Sequence, residues 1–240
     1  MVLAALVLLG AVCAAGLIGF VYYKETHLPP VGEFDTIIVL GAQVKADGTP
    51  SVALERRLTA ALEEYRKLCR ENPKIRAIGE IGLDYHYEDV PRDRQQAAFR
   101  AQMGLARELG LPVIVHEREA HEDGIRIVEE FPEVTGVFHC YSGSAEMAKW
   151  LIGRGWYIGF TGVLTFKNAR RALEAAAAVP RDRVVIETDC PYMSPEPFRG
   201  KRNDPTRLYR MAEALASLWS VSPEEAQAIT FENGKRLYGI

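Results

Sequence analysis

The sequence predicts an α/β fold built on a parallel sheet. Short apolar runs rich in β-branched residues alternate with longer amphipathic stretches along most of the chain. Parallel neighbours need a crossover connection, and segments of helical length supply one between each pair of runs. The composition is ordinary for a folded protein, with 25% charged and 48% hydrophobic residues in 240. The formal charge of −3 excludes a global attraction to nucleic acid, so polyanion binding would need a local basic patch or a bound metal.

The N-terminal segment differs from the rest of the chain. Val2 to Tyr23 contains no charged residue, and its 22 residues span about 33 Å as a helix, which is roughly a bilayer core. We therefore predict a single-pass transmembrane helix over residues 1–24 and a linker over residues 25–34. A buried core helix is the alternative. Lys24 alone does not determine on which side of the membrane the remaining chain lies.

Six apolar runs are predicted as strands and five amphipathic stretches as helices, followed by a helical region from Pro205 to Tyr238. The strands are Thr36–Leu40, Ile75–Ile81, Pro112–Val115, Gly136–Phe138, Trp156–Phe160 and Val184–Ile186. The helices are Val52–Cys69, Arg92–Leu109, Glu119–Phe131, Ala145–Gly153 and Asn168–Ala178. The four cysteines form no CxxC pair, so we expect free thiols.

Four predicted strands lead into a metal-binding residue type: Glu80, His116, His139 and Asp189. The carboxyl ends of parallel strands converge on one edge of the sheet, so these residues are expected to meet there. Imidazole and carboxylate ligands suit several divalent metals. His86, in a loop after the first of these strands, is a weaker candidate for approaching a substrate, and His121 is expected to face solvent on a helix.

The residues around these positions form motifs that resemble the TatD family of metal-dependent deoxyribonucleases. The resemblance covers about residues 72–240 and rests on six segments: residues 77–86 (AIGEIGLDYH), 115–120 (VHEREA), 138–143 (FHCYSG), 187–192 (ETDCPY), 199–203 (RGKRN) and 232–238 (ENGKRLY).

That resemblance implies a TIM-like barrel with a two-metal site, using Mg, Mn or Zn, that hydrolyses phosphodiester bonds in DNA. Glu80 would bridge the metals and act in catalysis, and Asp189 would bind metal or orient the attacking water. His116 and His139 would complete one metal site. Arg118 and the cluster of Arg199, Lys201 and Arg202 would hold substrate phosphates, although an ordinary solvated loop explains the cluster equally well.

Two parts of the family pattern are missing. The chain contains no His-x-His pair, which supplies two ligands of the other metal site, and it lacks the family's first three barrel strands. Residues 1–69 instead resemble the start of SanA/YdcF-type envelope proteins, with a single βα unit over residues 35–70. We therefore expect residues 71–240 to supply five βα units, and the whole chain to form an incomplete TIM-like barrel of about six parallel strands.

An incomplete barrel leaves two unpaired strand edges, which favours self-association. The sequence leaves three functional hypotheses open. The first is a membrane-anchored TatD-like hydrolase acting on DNA with one metal site incomplete. The second is a non-catalytic membrane-anchored product of fusion or truncation, and the third is a SanA/YdcF-like envelope protein.

Overall fold

The computed structural model describes residues 52–87 and 90–240. Their sheet is entirely parallel and its five strands follow chain order: β1 (Ile78–Asp84), β2 (Val113–Arg118), β3 (Gly136–Phe138), β4 (Tyr157–Phe160) and β5 (Val184–Ile186). The prediction of a parallel α/β sheet is confirmed. The predicted strand Thr36–Leu40, the segment of residues 1–24 and the linker of residues 25–34 lie outside the described residues.

Helices precede the first strand and follow every strand. They are α1 (Val52–Glu71), α2 (Arg92–Leu109), α3 (His121–Glu129), α4 (Ala145–Ile152), α5 (Arg170–Ala178), α6 (Tyr209–Trp219) and α7 (Pro223–Tyr238). In the described ranges, no helix combines the length and hydropathy that crossing a bilayer requires. The transmembrane helix predicted over residues 1–24 falls outside those ranges.

Local sequence explains where several helices begin and end. The Ser144 and Ser222 side chains cap the N-termini of α4 and α7, accepting hydrogen bonds from the backbone N–H groups of Met147 and Glu225. Gly110 ends α2 in the left-handed conformation. Ser220 ends α6 in the same way, at φ 56°, which divides the predicted C-terminal helical region into α6 and α7.

The strands alternate between two apolar environments. Alternate side chains of β2 to β5, including Val113, Phe138, Ile158 and Val184, belong to the large core that also contains helix residues. The intervening positions Val137 and Tyr157 pack with Leu237 of α7 in a second, smaller cluster. Side chains two residues apart share a face of a strand. Residues 116, 139 and 187 therefore lie on the face of the smaller cluster, which we call the inner face.

Two predicted strands have different bounds in the structure, which corrects the placement of His116. β1 has the predicted length of seven residues but begins and ends three residues later, and β2 is longer than predicted. β1 continues to Asp84 and β2 to Arg118, because the β1–β2 ladder, after a register shift between Ile78 and Ile81, stays paired as far as those two residues. Glu80 and His116 therefore lie within strands, whereas His139 directly follows β3. Gly82, opposite His116, permits this close pairing, since a Cβ at residue 82 would lie 1.9 Å from the His116 carbonyl oxygen.

Candidate metal centre

Three of the four predicted ligands converge on the inner face of the sheet. Glu80 Oε1 lies 2.7 Å from both His116 Nδ1 and His139 Nε2. The two ring nitrogens are 3.3 Å apart. One ligand atom from each of the three residues therefore falls within 4.8 Å of the others, a grouping that can hold a metal ion. The grouping forms because β1, β2 and β3 are adjacent in the sheet.

Electrostatics favour a cation at this point. Hydrogen bonds with His116 and His139 hold the pKa of Glu80 well below its ordinary value. Burial lowers the pKa of His139, but the carboxylates of Glu187 and Glu80 outweigh this effect and raise the pKa to about 10. Burial likewise opposes a net rise in the pKa of His116 that is caused mainly by Glu80. The three side chains thus stabilise positive charge between the imidazoles and the carboxylate, where a divalent metal would bind.

Asp189 stands apart from this three-residue cluster in the part of the chain that the structure describes. It follows β5 by three residues, and its backbone is left-handed, at φ 51°. Burial raises its pKa, and the charges of His139, Glu187 and Glu80 act on it as well. Asp189 therefore shares the electrostatic surroundings of the cluster, and its role as a fourth ligand stays a prediction.

Two further carboxylates contact the histidines, and the sequence patterns did not assign them to the site. Asp84 Oδ2 lies 3.1 Å from His116 Nε2. Glu187 Oε2 lies 3.4 Å from His139 Nδ1. Strand alternation is the signal that identifies Asp84, because residues 80, 82 and 84 of one strand share a face. Glu187 carries a similar signal, since it lies two residues before Asp189.

The four predicted phosphate-binding residues lie in different surroundings. Arg118 ends β2, two residues after His116 on the same strand face, and its guanidinium lies 5.4 Å from the Tyr87 ring centroid. Arg199 is exposed but stacks 3.8 Å from the Phe166 ring centroid and donates to the Ser194 carbonyl. Lys201 and Arg202 are exposed.

The other two histidines in the described segments are each paired with a glutamate outside the three-residue cluster. His86 Nδ1 lies 2.8 Å from Glu119 Oε1 on the exposed surface. The expectation that His121 faces solvent holds only in part, since its side chain is 34% exposed. Its ring is paired with Glu117, whose side chain is only 4% exposed. Glu117 lies on the core-facing side of β2, and His121 pairs with it from the first turn of α3.

The donor set fits a divalent metal with an open coordination position. Two imidazole nitrogens and one carboxylate oxygen match the ligand types of catalytic zinc and of related transition metals. Glu80 retains 42% side-chain exposure and His116 33%, so the cluster opens toward solvent on one side. The residues present therefore suit a catalytic metal better than a fully enclosed structural one.

Comparisons with known proteins agree with this geometry. The family model for the TatD-related DNases matches residues 45–239. This match begins inside the segment of residues 35–70 that resembles SanA/YdcF proteins, and the comparisons do not show a fusion with that family. A curated relative, the uncharacterized metal-dependent hydrolase YabD of Bacillus subtilis, is 47% identical over 70% of this chain and 66% of its own length.

A second relative, from Erwinia tasmaniensis, is named a 3′-5′ ssDNA/RNA exonuclease TatD and is 34% identical over 71% of this chain and 68% of its own length. The crystal structure of YjjV, a TatD homolog from Escherichia coli, superposes with a TM-score of 0.70 and 30% identity, covering 76% of this chain and 71% of that chain. The chain thus spans about two thirds of the length of its curated relatives. By family match, fold and site, this chain belongs to the TatD-related DNases, a family of metal-dependent hydrolases.

Proposed function

We propose that the chain is a metal-dependent hydrolase that cleaves phosphodiester bonds of DNA. The observation that carries this proposal is the meeting of Glu80, His116 and His139 within 4.8 Å on one face of the sheet. Family membership and the relative named as an ssDNA/RNA exonuclease support the choice of substrate class.

Each residue has a distinct task in this proposal. Glu80, His116 and His139 hold the divalent ion, which when bound polarises a phosphoryl oxygen and acidifies water. Asp189 orients the attacking water and accepts its proton, a task that suits a carboxylate whose pKa is raised. Arg118, on the same strand face as His116, binds a phosphate oxygen of the substrate. Arg199, Lys201 and Arg202 provide further positive charge for the nucleic-acid backbone.

The experiment measures metal content and cleavage together. The full chain is purified in mild detergent, because residues 1–24 are predicted to span a membrane, and its bound metals are quantified by mass spectrometry. End-labelled single-stranded DNA is then incubated with the protein and Mg²⁺, Mn²⁺ or Zn²⁺. We expect the wild type to retain metal and shorten the DNA, and Glu80→Gln to lose both properties.

Glu174→Gln is the matched control, because it replaces the same side chain in the same way on the surface of α5. The Glu174 side chain is 58% exposed. This variant is expected to behave as the wild type. A wild type that retains metal but leaves DNA intact contradicts the proposal. So does cleavage that persists unchanged in Glu80→Gln.

A non-catalytic product of fusion or truncation is the competing proposal. The observation that favours it is the lack of any His-x-His pair in the sequence, since that pair supplies ligands to the second metal site. Losing direct ligands of the metal is expected to weaken metal binding by more than the ~10–100-fold effect of losing their outer partners. Sequencing reads across the codons of residues 69–72 test the fusion: continuous reads from independent templates support it, and reads that end at the boundary contradict it.

Location and assembly are separate proposals. Residues 1–24 anchor the chain in a membrane. Lys24 alone does not assign the remaining residues to either side of it. Alkaline carbonate extraction of cells tests the anchoring: the full chain stays in the pellet if it is anchored, whereas a variant without residues 1–34 is released. Self-association through the sheet edges β1 and β5 is tested by light scattering of the detergent-purified chain, where a strictly monomeric mass contradicts it.

A further inference from the structure

Each histidine of the candidate metal centre keeps its second ring nitrogen against a carboxylate. His116 turns Nδ1 toward Glu80 and Nε2 toward Asp84 Oδ2, which lies 3.1 Å away. His139 has the opposite arrangement, with Nε2 toward Glu80 and Nδ1 3.4 Å from Glu187 Oε2. One ring nitrogen of each histidine thus faces Glu80 in the candidate metal centre, and the other faces an outer carboxylate, Asp84 or Glu187.

Asp84 is held in place from several directions. Its Oδ1 accepts a hydrogen bond from the His86 backbone N–H at 3.0 Å. The Gln95 side chain of α2 accepts from the Asp84 backbone N–H and donates to the Asp84 carbonyl, both at 2.8 Å. The position of Asp84 is therefore determined by a helix side chain as well as by β1, and the carboxylate has one oxygen left for His116.

Glu187 is fixed by a different set of contacts. Its Oε1 accepts a 2.6 Å hydrogen bond from the backbone N–H of Cys140, the residue that follows His139. Gly159 of β4 makes room for this carboxylate, because a Cβ at residue 159 would lie 2.6 Å from the same oxygen. Asn203, which is 3% exposed, donates to the Thr188 carbonyl and secures the segment directly after Glu187.

A carboxylate behind a metal-binding histidine has a known physical effect. It accepts the N–H of the outer ring nitrogen, which fixes the tautomer, leaves the inner lone pair free for the metal and holds the ring plane in position. The two outer carboxylates come from β1 and from the segment after β5, the two edge strands of the described sheet. Both edges therefore support ligands that lie on β2 and directly after β3.

We propose that Asp84 and Glu187 are positioning residues that orient His116 and His139 for a divalent metal, and that Gly159 is required for the placement of Glu187. This inference rests on the proposed metal-dependent function, but it concerns metal binding rather than the bond that is cleaved. It predicts that the two carboxylates act through the histidines and contact neither the metal nor the substrate.

The test is a measurement of Mn²⁺ affinity by electron paramagnetic resonance on the detergent-purified full chain, in wild type and variants. Asp84→Ala and Glu187→Ala are each expected to weaken Mn²⁺ binding ~10–100-fold, the usual effect of removing such a partner. Asp84→Asn and Glu187→Gln keep an acceptor oxygen at the same distance and are expected to recover most of the affinity. Gly159→Ala is expected to weaken binding as Glu187→Ala does.

Two additional readouts separate positioning from general structural damage. The absorption spectrum of the Co²⁺-loaded protein is expected to change in the alanine variants, because the ligand rings tilt, and to be restored in the amide variants. Thermal unfolding without metal is expected to match the Glu174→Gln control. A loss of affinity that merely follows a lower unfolding temperature, with no recovery in the amide variants, overturns the proposal.

The outcomes also separate this proposal from the proposed function. Unchanged Mn²⁺ affinity in both alanine variants overturns the positioning role, even if the wild type cleaves DNA. Weakened affinity in those variants upholds it, even if the wild type leaves DNA intact and the proposed function fails. A wild type that binds no divalent metal overturns both.

Discussion

Asn233 of α7 donates from Nδ2 to the backbone carbonyl of Val184, the first residue of β5, at 2.6 Å. A second hydrogen bond of 2.7 Å reaches the Arg181 carbonyl just before that strand. Asn233 is fully buried. These hydrogen bonds join α7 to β5 at the edge of the sheet. Glu187 and Asp189 lie in the segment that directly follows β5.

Replacing Asn233 by alanine is expected to lower the free energy of unfolding by about 2–4 kcal/mol, because two buried carbonyls lose their donor. Urea denaturation monitored by circular dichroism measures the change. Gln227→Ala on the exposed surface of the same helix is the control and is expected to stay within about 0.5 kcal/mol of wild type. Equal destabilisation by the two changes would contradict the assigned role of Asn233.

The Glu117–His121 pair predicts a pH-dependent stability. The Glu117 carboxylate raises the pKa of His121 above its ordinary value of 6.5, despite partial burial. Because the folded-state pKa is the higher one, the stabilisation is complete below about pH 6.5 and is lost as the pH rises through the raised value. The difference in unfolding free energy between wild type and His121→Gln should therefore be larger at pH 6 than at pH 9.

Glu117→Gln provides the control, since it removes the charge that raises the pKa of His121. In that background the His121→Gln change should have an effect that is nearly independent of pH between 6 and 9. A pH dependence that persists without the carboxylate would show that another group is responsible.

The basic loop predicts different outcomes for its three cations. Lys201 and Arg202 are exposed, so the double change to alanine is expected to weaken binding of single-stranded DNA. The slope of log K against log salt should become less negative by about 0.7 for each phosphate that the variant no longer neutralises. Filter binding of labelled DNA to the Glu80→Gln variant, at several salt concentrations, measures this without cleavage.

Arg199 is expected to stabilise the loop as well as to supply positive charge, because its guanidinium packs on Phe166 and donates to the Ser194 carbonyl. Arg199→Ala should lower the unfolding temperature while changing the salt slope less than the double variant does. An unfolding temperature that is unchanged in Arg199→Ala would contradict the structural role of Arg199.

The cysteines next to the site predict unequal thiol reactivity. Burial raises the pKa of Cys140 to about 12, so its thiol is protonated at neutral pH, whereas Cys190 is exposed. Alkylation with iodoacetamide at pH 7.5, followed by peptide mapping, should modify Cys190 well before Cys140. Comparable modification in the native state would contradict the burial of Cys140, and denatured protein provides the reference in which both are modified.

Sequence patterns alone predict the parallel sheet, the order of its elements and three residues of the centre. Period-2 and period-3.6 patterns locate strands and helices along the chain, so they place Glu80, His116 and His139 at the carboxyl ends of successive predicted strands without any coordinates. Two strands, Gly136–Phe138 and Val184–Ile186, match the prediction residue for residue. The bounds of β1 and β2 do not, because where a strand begins and ends depends on pairing between strands rather than on local composition.

The groups that stand behind the ligands depend on the three-dimensional packing of the elements. Asp84 and Glu187 contact histidines that are more than 30 residues away in sequence. Asp84 is held by the Gln95 side chain of α2. Glu187 is held by the Cys140 backbone N–H and occupies the space left by Gly159. The pairing of His121 with a buried carboxylate is of the same kind. Such contacts depend on distances between elements, and a pattern along one strand or helix carries no information about those distances.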